Sequence, residues 1–139
     1  MSEDALFHTE VVNDKGLEGE AYVKDGLRVL ISSPLSPDEG SNPEELLGLS
    51  WSTCLNSTIQ ALLKGRSKQD KSKVEVHVDF KREPNGIGYY FTLAAFVSIE
   101  NHTIEETTKV MHAAHKRCPV SKIIGSYEHV SLQAVPFER

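Results

Sequence analysis

Cysteine is scarce in this chain: 139 residues hold only two, Cys54 and Cys118. So few thiols exclude a disulfide-stapled scaffold. A hydrophobic share of 39% lets the chain build a core without one. Long apolar runs are missing too, and no stretch approaches the ~18 residues that a membrane-spanning helix needs. Basic residues are in deficit, with 15 Lys and Arg against 20 Asp and Glu and a net charge of −5. That balance argues against nucleic acid as a partner, because phosphate binding needs a basic surface. The opening segment, MSEDALFHTE, is acidic where a secretory leader would be basic and then apolar. The expectation is a cytoplasmic chain, in a compartment that keeps thiols reduced, so that any pairing of Cys54 with Cys118 is transient. Repeats, low-complexity tracts and interdomain linkers are lacking as well, and the length predicts a single domain, residues 1–139.

What is present reads as an α+β chain. Phe7–Val12, Gly19–Lys24 and Leu27–Ser33 are candidate strands, separated by the turn signals NDKG and KDG. The loop PLSPDEGSN leads to a strong helix start: Asn42 can cap, Pro43 suits the first position, and Glu44 and Glu45 favour the positive end of the helix dipole. Leu47, Trp51, Cys54 or Leu55, Thr58 and Leu62 recur at helical spacing, which predicts a largely buried helix from Pro43 to Lys64 closed by Gly65. Trp51 reads as core or pocket wall. Val74, Val76, Val78 and Phe80 alternate with polar residues in a strand, PNGIG makes a hairpin turn, and Tyr89–Ile99 is a long second strand. Thr103 and Glu106 form a capping box for a helix reaching Arg117. Pro119 breaks that helix at Cys118 and starts a short one to Ile124. His129–Phe137 is a last strand. Grouped strands with few crossovers predict an antiparallel sheet.

The two cysteines differ in local chemistry. Cys118 stands at the N-cap of the short helix, where unpaired N–H groups, with Arg117 and Lys122 nearby in sequence, would stabilise a thiolate. The alternative is a cysteine that merely ends a helix. Cys54 lies mid-helix on or near the buried face, where no dipole end can help it, and a cysteine there is ordinarily a small hydrophobe. To act as a nucleophile it needs a cation brought by another part of the fold. Glu44 lies ten positions earlier, about 15 Å away along a continuous helix. It either serves the helix dipole alone or holds a long cationic side chain that reaches Cys54.

At these residues the chain resembles a family. NPEELLGLSWSTC resembles the NPEEL…C segment of the OsmC/Ohr thiol-dependent peroxidases, and AHKRCPVSK resembles their second-cysteine segment, AH-x-x-CP-x-SK. The resemblance covers most of the chain. It implies an intertwined homodimer, with antiparallel sheets wrapped around two central helices and active sites at the subunit interface. It implies Cys54 as peroxidatic cysteine, Cys118 as resolving cysteine and Glu44 as the carboxylate that positions an arginine. It further implies organic hydroperoxides as substrates and a dithiol, such as a lipoyl group, as reductant, with no separate cofactor. One feature departs from the family. The Gly-Gly-Arg-x-Gly segment of the Ohr branch aligns with KGLEGE here, which puts Leu17 at the arginine position. Lys15 and Arg28 are nearby in sequence, but neither matches the motif.

Two other readings stand beside peroxidase chemistry. His112, His115 and Cys118, spaced H-x2-H-x2-C, could join Cys54 in a zinc site. Alternatively, a non-catalytic dimer could bind a hydrophobic ligand in the same apolar region.

Overall fold

The computed structural model describes residues 4–138, which divide between Pro43 and Glu44 into two compact units. In the first, β1 (Val11–Val12), β2 (Gly19–Val23) and β3 (Arg28–Ile31) form an antiparallel sheet in the order β1-β2-β3. The expected first strand, Phe7–Val12, shrinks to its last two residues: Val11 and Val12 pair with Val23 and Tyr22, and Glu10 keeps a single bond, its carbonyl accepting Lys24 N–H at 3.0 Å. The two expected turns are present. Asn13 Oδ1 accepts the N–H groups of Lys15 and Gly16, and Asp25 takes a left-handed conformation in KDG.

The second unit carries the two cysteines. Its first helix, α1 (Pro43–Gly65), starts at the expected proline and has two acidic residues in its first turn. Trp51, Leu55, Ile59 and Leu63, each four residues apart, are buried. They form one stripe of the helix, and each such side chain contributes about 1.5–3 kcal/mol by leaving water. The helix is therefore less enclosed than its composition suggests: Leu46 and Leu49 on its other side are exposed. Gly48 brings α1 close to the sheet, since a Cβ there would lie 3.5 Å from Val78 Cγ2. Asn56 and Ser72 pin the helix to the start of the next strand through two hydrogen bonds, of 3.3 and 2.6 Å.

That strand, β4 (Ser72–Arg82), pairs antiparallel along its whole length with β5 (Tyr89–Ile99). The turn between them uses Gly86 and Gly88 at positive φ, a conformation that costs glycine little. Leu93, Ala95, Val97 and Ile99 of β5 point into the core at the period of two expected for a strand. Two helices follow, α2 (Ile104–Arg117) and α3 (Pro119–Ile124). They carry the chain back so that β6 (Val130–Ala134) lies parallel to β5. This one pairing departs from the antiparallel expectation; a parallel neighbour needs a crossover, and α2 with α3 supplies it. β6 is also shorter than the expected His129–Phe137. Its last ladder bond runs from Val135 N–H to Val97 O, and Pro136 has no N–H to continue it.

α2 opens with the expected capping box. Thr103 Oγ1 accepts from Glu106 N–H and Glu106 Oε1 accepts from Thr103 N–H, at 3.1 and 2.9 Å. Thr107, Val110, Met111 and Ala114 bury its inner face. No helix among the described residues is long and apolar enough to cross a membrane. Thr103→Ala should remove half of the capping box and destabilise the fold by about 1 kcal/mol, read as a lower midpoint in urea with an unchanged slope.

Candidate active site

Cys118 occupies a double cap. Its N–H donates to Ala114 O at 2.8 Å, closing α2, and its own carbonyl accepts from Lys122 N–H at 3.0 Å, opening α3. Its backbone is extended (φ −65°, ψ 120°), the conformation that a following proline favours. The side chain turns back onto α3, where Sγ accepts Ser121 N–H at 3.4 Å. The residue is fully buried in the core of the second unit. Burial alone pushes its thiol pKa up, but hydrogen bonds from the Ser121 side chain and backbone, from Cys54 and from Val120 outweigh it. The net result lies below the ordinary thiol value. Arg117 and Lys122 are exposed, and hydrogen bonds rather than these cations do most of the work.

Cys54 lies one turn after Trp51 on α1 and is only half-buried. Its carbonyl accepts the hydroxyls of Ser57 and Thr58, both at 2.9 Å, in addition to its place in the helix ladder. Its thiol pKa lies above the ordinary value, chiefly through burial, with the hydrogen bond and charge of Cys118 pushing the same way. One group opposes this, the Val120 backbone, which lowers it. The sequence placed Cys54 out of reach of any helix end. It is in fact at the N-terminus of a helix other than its own, because α3 packs its first turn against α1. The two thiols perturb each other's ionisation, Cys118 raising the pKa of Cys54 and Cys54 lowering that of Cys118. Both are free cysteines.

Glu44 stands in the first turn of α1, half-buried, and its Oε2 is buried with no hydrogen-bond partner among the described residues. An unsatisfied buried acceptor costs about 1–3 kcal/mol, so this oxygen is primed for a donor. Of the two cations near the expected arginine position, Arg28 is engaged within its own sheet. Its Nε bonds Glu20 at 2.9 Å and its guanidinium lies over the Tyr22 ring at 4.4 Å. Lys15 folds over Gly19 in the turn before β2, and Leu17 is exposed in that same turn.

The histidines of α2 do not join the cysteines. His112 is exposed, and no group of three or more His, Cys, Asp or Glu side chains among the described residues could hold a metal ion. His115 is held below its ordinary pKa by burial and by His112, and its Nδ1 is buried without a hydrogen-bond partner among the described residues. The zinc reading fails because Cys118 lies beyond the end of α2, with its sulfur directed at α3 and Cys54.

Sequence reasoning missed one contact. Trp51 Nε1–H donates to Ser121 Oγ at 2.9 Å, with both residues buried. The available signal was a serine three residues after an N-cap cysteine, which is where a hydroxyl can reach the sulfur.

An apolar cavity of about 510 Å³ opens near Leu47 of α1 and Ile124 of α3, walled by Phe80, Tyr89, Phe91 and Tyr127. The Tyr127 hydroxyl is tied to Phe91 O at 3.0 Å.

Comparison with known proteins decides the family. The profile of the OsmC-like protein family matches residues 36–132, which include Glu44, both cysteines and all of α1. The chain belongs to the OsmC/Ohr family. Its relatives include the organic hydroperoxide resistance protein OhrB of Bacillus subtilis, 23% identical over 93% of this chain and 98% of that protein. An organic hydroperoxide resistance protein-like chain of Staphylococcus aureus is 28% identical, over 91% of this chain and 93% of its own length. Among solved structures, a chain from Lactobacillus casei described as a candidate redox protein superposes with a TM-score of 0.90 at 34% identity. The match covers 99% of this chain and 96% of that one. The OhrB structure superposes at 0.82, covering 96% and 100% of the two chains, which at 23% identity speaks for the fold alone.

The environments of the two OsmC/Ohr cysteines predict an order of ionisation. Raising the pH of the reduced protein should ionise Cys118 first, below the ordinary thiol value, and Cys54 second, above it. Cys118→Ala removes the hydrogen bond and charge that raise Cys54, so Cys54 should titrate at lower pH and alkylate faster with iodoacetamide at a fixed mildly alkaline pH. A single unresolved titration, unmoved by Cys118→Ala, would contradict this order.

Proposed function

We propose that this protein is a thiol-dependent peroxidase that reduces organic hydroperoxides through a Cys54 sulfenic acid and a Cys54–Cys118 disulfide. The observation that carries the reading is the pairing of two free thiols that perturb each other's ionisation, a half-buried one on α1 packed against the core and a fully buried one within that core at the α2–α3 break. Cys54 is the sulfur a substrate can reach. Cys54 reacts as its thiolate, the form that a cation held by Glu44 would favour. The Cys54 thiolate attacks the distal peroxide oxygen; the O–O bond breaks, and the alkoxide takes a proton and leaves as the alcohol. The sulfenic acid forms beside Cys118, which attacks the Cys54 sulfur, forms the S–S bond and expels water. A dithiol then attacks Cys54, and Cys118 leaves as a thiolate, the better leaving group of the pair.

Three further assignments accompany this reading. Glu44, with its unpaired buried oxygen, holds a cationic side chain toward Cys54. The exposed Leu46 and Leu49 of α1 support a homodimer that covers this face. The aromatic cavity beside Leu47 suits an apolar hydroperoxide or a lipoyl dithiol better than hydrogen peroxide. The chemistry belongs in the cytoplasm, where dithiol reductants are maintained.

The test is turnover with cumene hydroperoxide and dihydrolipoamide. The parent protein should consume peroxide catalytically. Cys54→Ser should abolish consumption, and Cys118→Ser should give a single turnover that leaves a sulfenic acid trappable by dimedone. A parent protein with no Cys54-dependent consumption would overturn the reading in favour of a non-catalytic chain that binds an apolar ligand.

A further inference from the structure

Aromatic rings dominate the wall of the 510 Å³ cavity beside Leu47 and Ile124. Phe80 stacks on Tyr89 with ring centroids 4.8 Å apart and meets Phe91 at 6.0 Å. Phe80, Tyr89 and Tyr127 are 37%, 53% and 38% exposed, so each leaves apolar surface facing water. A ring cluster open to solvent in a concave site is where an apolar molecule gains by binding. Among the described residues that line the cavity, Glu83 alone is charged. It is half-buried, and its backbone is held in the β4–β5 turn. Its N–H donates to Gly88 O at 3.0 Å, and its carbonyl accepts Gly86 N–H at 2.9 Å. Its charge reaches the wall: after burial, Glu83 and then Glu128 raise the Tyr127 phenol above its ordinary pKa. The neighbouring cation, Arg82, lies over the Tyr89 ring at 5.2 Å and is not part of the lining.

We propose that Glu83 is a specificity-determining residue, which makes this cavity accept apolar molecules whose polar end is uncharged or positive and turn away those that end in a carboxylate. A carboxylate brought beside Glu83 places two like charges together, partly out of water, and one of them must take up a proton or the ligand must leave. A hydroxyl or an amide meets no such repulsion. An ammonium group gains from Glu83 and from the faces of the rings, as Arg82 already does over Tyr89. A small molecule also suits the site better than a protein surface, since a surface packed over the rings would bury the Glu83 charge. In turnover, which rests on the peroxidase reading above, the selection acts on both substrates. The hydroperoxide is a neutral alkyl or aryl one, and the dithiol is a lipoyl group in amide linkage rather than free dihydrolipoate, whose tail is a carboxylate.

The experiment is calorimetric titration of the full-length reduced protein at neutral pH and low salt with 4-phenylbutanol, 4-phenylbutylammonium and 4-phenylbutyrate. These share a ring and a chain and differ in charge. The alcohol and the ammonium should bind, and the carboxylate should bind roughly tenfold more weakly than the alcohol, the effect of one nearby like charge at a partly wet site. Glu83→Gln should leave the alcohol unchanged and bring the carboxylate close to it. Glu83→Lys should place the carboxylate ahead of the ammonium, and it carries the test if Glu83→Gln does not fold. Tyr89→Ala, at an exposed ring, should weaken all three ligands and so locate them in this cavity. Equal affinity for alcohol and carboxylate, a gap unchanged by both Glu83 variants, binding untouched by Tyr89→Ala, or no binding of any of the three would overturn the proposal. None of these ligands is a peroxide or a thiol, so a failure here is separate from a failure of the peroxidase reading.

Discussion

A sulfur enclosed in an apolar core ionises only if hydrogen-bond donors replace the water it has lost. Burial works against the charged form of both cysteines here, and it is the largest single influence on each. What separates them is the supply of donors. In the first turn of α3 the Ser121 N–H donates to Cys118 Sγ at 3.4 Å, and the Val120 backbone favours the thiolate of both cysteines while Ser121 favours that of Cys118 only. The site depends on that turn. Without the break at Cys118–Pro119, α2 would run on and its N–H groups would be spent within the helix ladder.

The rest of the second unit holds this turn in place. Trp51, Leu55, Ile59 and Leu63 of α1 share one core with the buried residues of β5, with Val110, Met111 and Ala114 of α2, and with Cys118 itself. A core packed in this way moves little, so the half-buried thiol and the buried one keep their contact. In the proposed reaction the more exposed sulfur meets the substrate and the buried one, the better supplied with protein donors, is the sulfur that leaves. Glu44 stands apart at the start of α1, with a buried oxygen still seeking a donor.

Local signals in the sequence carried most of the fold. Pro43, the Thr103–Glu106 box, the alternation of Val74 to Phe80 and the proline after Cys118 each act within a few residues, and each marked its element. Long-range pairing set what was not legible. The parallel docking of β6 on β5 depends on where the α2–α3 crossover returns the chain. The shortening of β1 depends on which residues of β2 face it. At the site, the donor role of Cys118's own short helix could be read from CPVS. That the same helix also reaches Cys54 could not, because α1 and α3 are separated by more than 50 residues (119 − 65 = 54) and meet only in the folded core. The Trp51–Ser121 bond was hidden for the same reason: a tryptophan on an apolar helix stripe reads as packing until its N–H is traced to a partner.

The central claim is that these two sulfurs form one redox unit, and single-turnover peptide mapping tests it most directly. One equivalent of an organic hydroperoxide is added to the reduced protein without any reductant, and the product is digested and mapped by mass spectrometry. The account predicts one equivalent of alcohol and a stoichiometric disulfide joining the Cys54 and Cys118 peptides of the same chain. Peroxide left unconsumed, or consumed with both thiols still free, would contradict it.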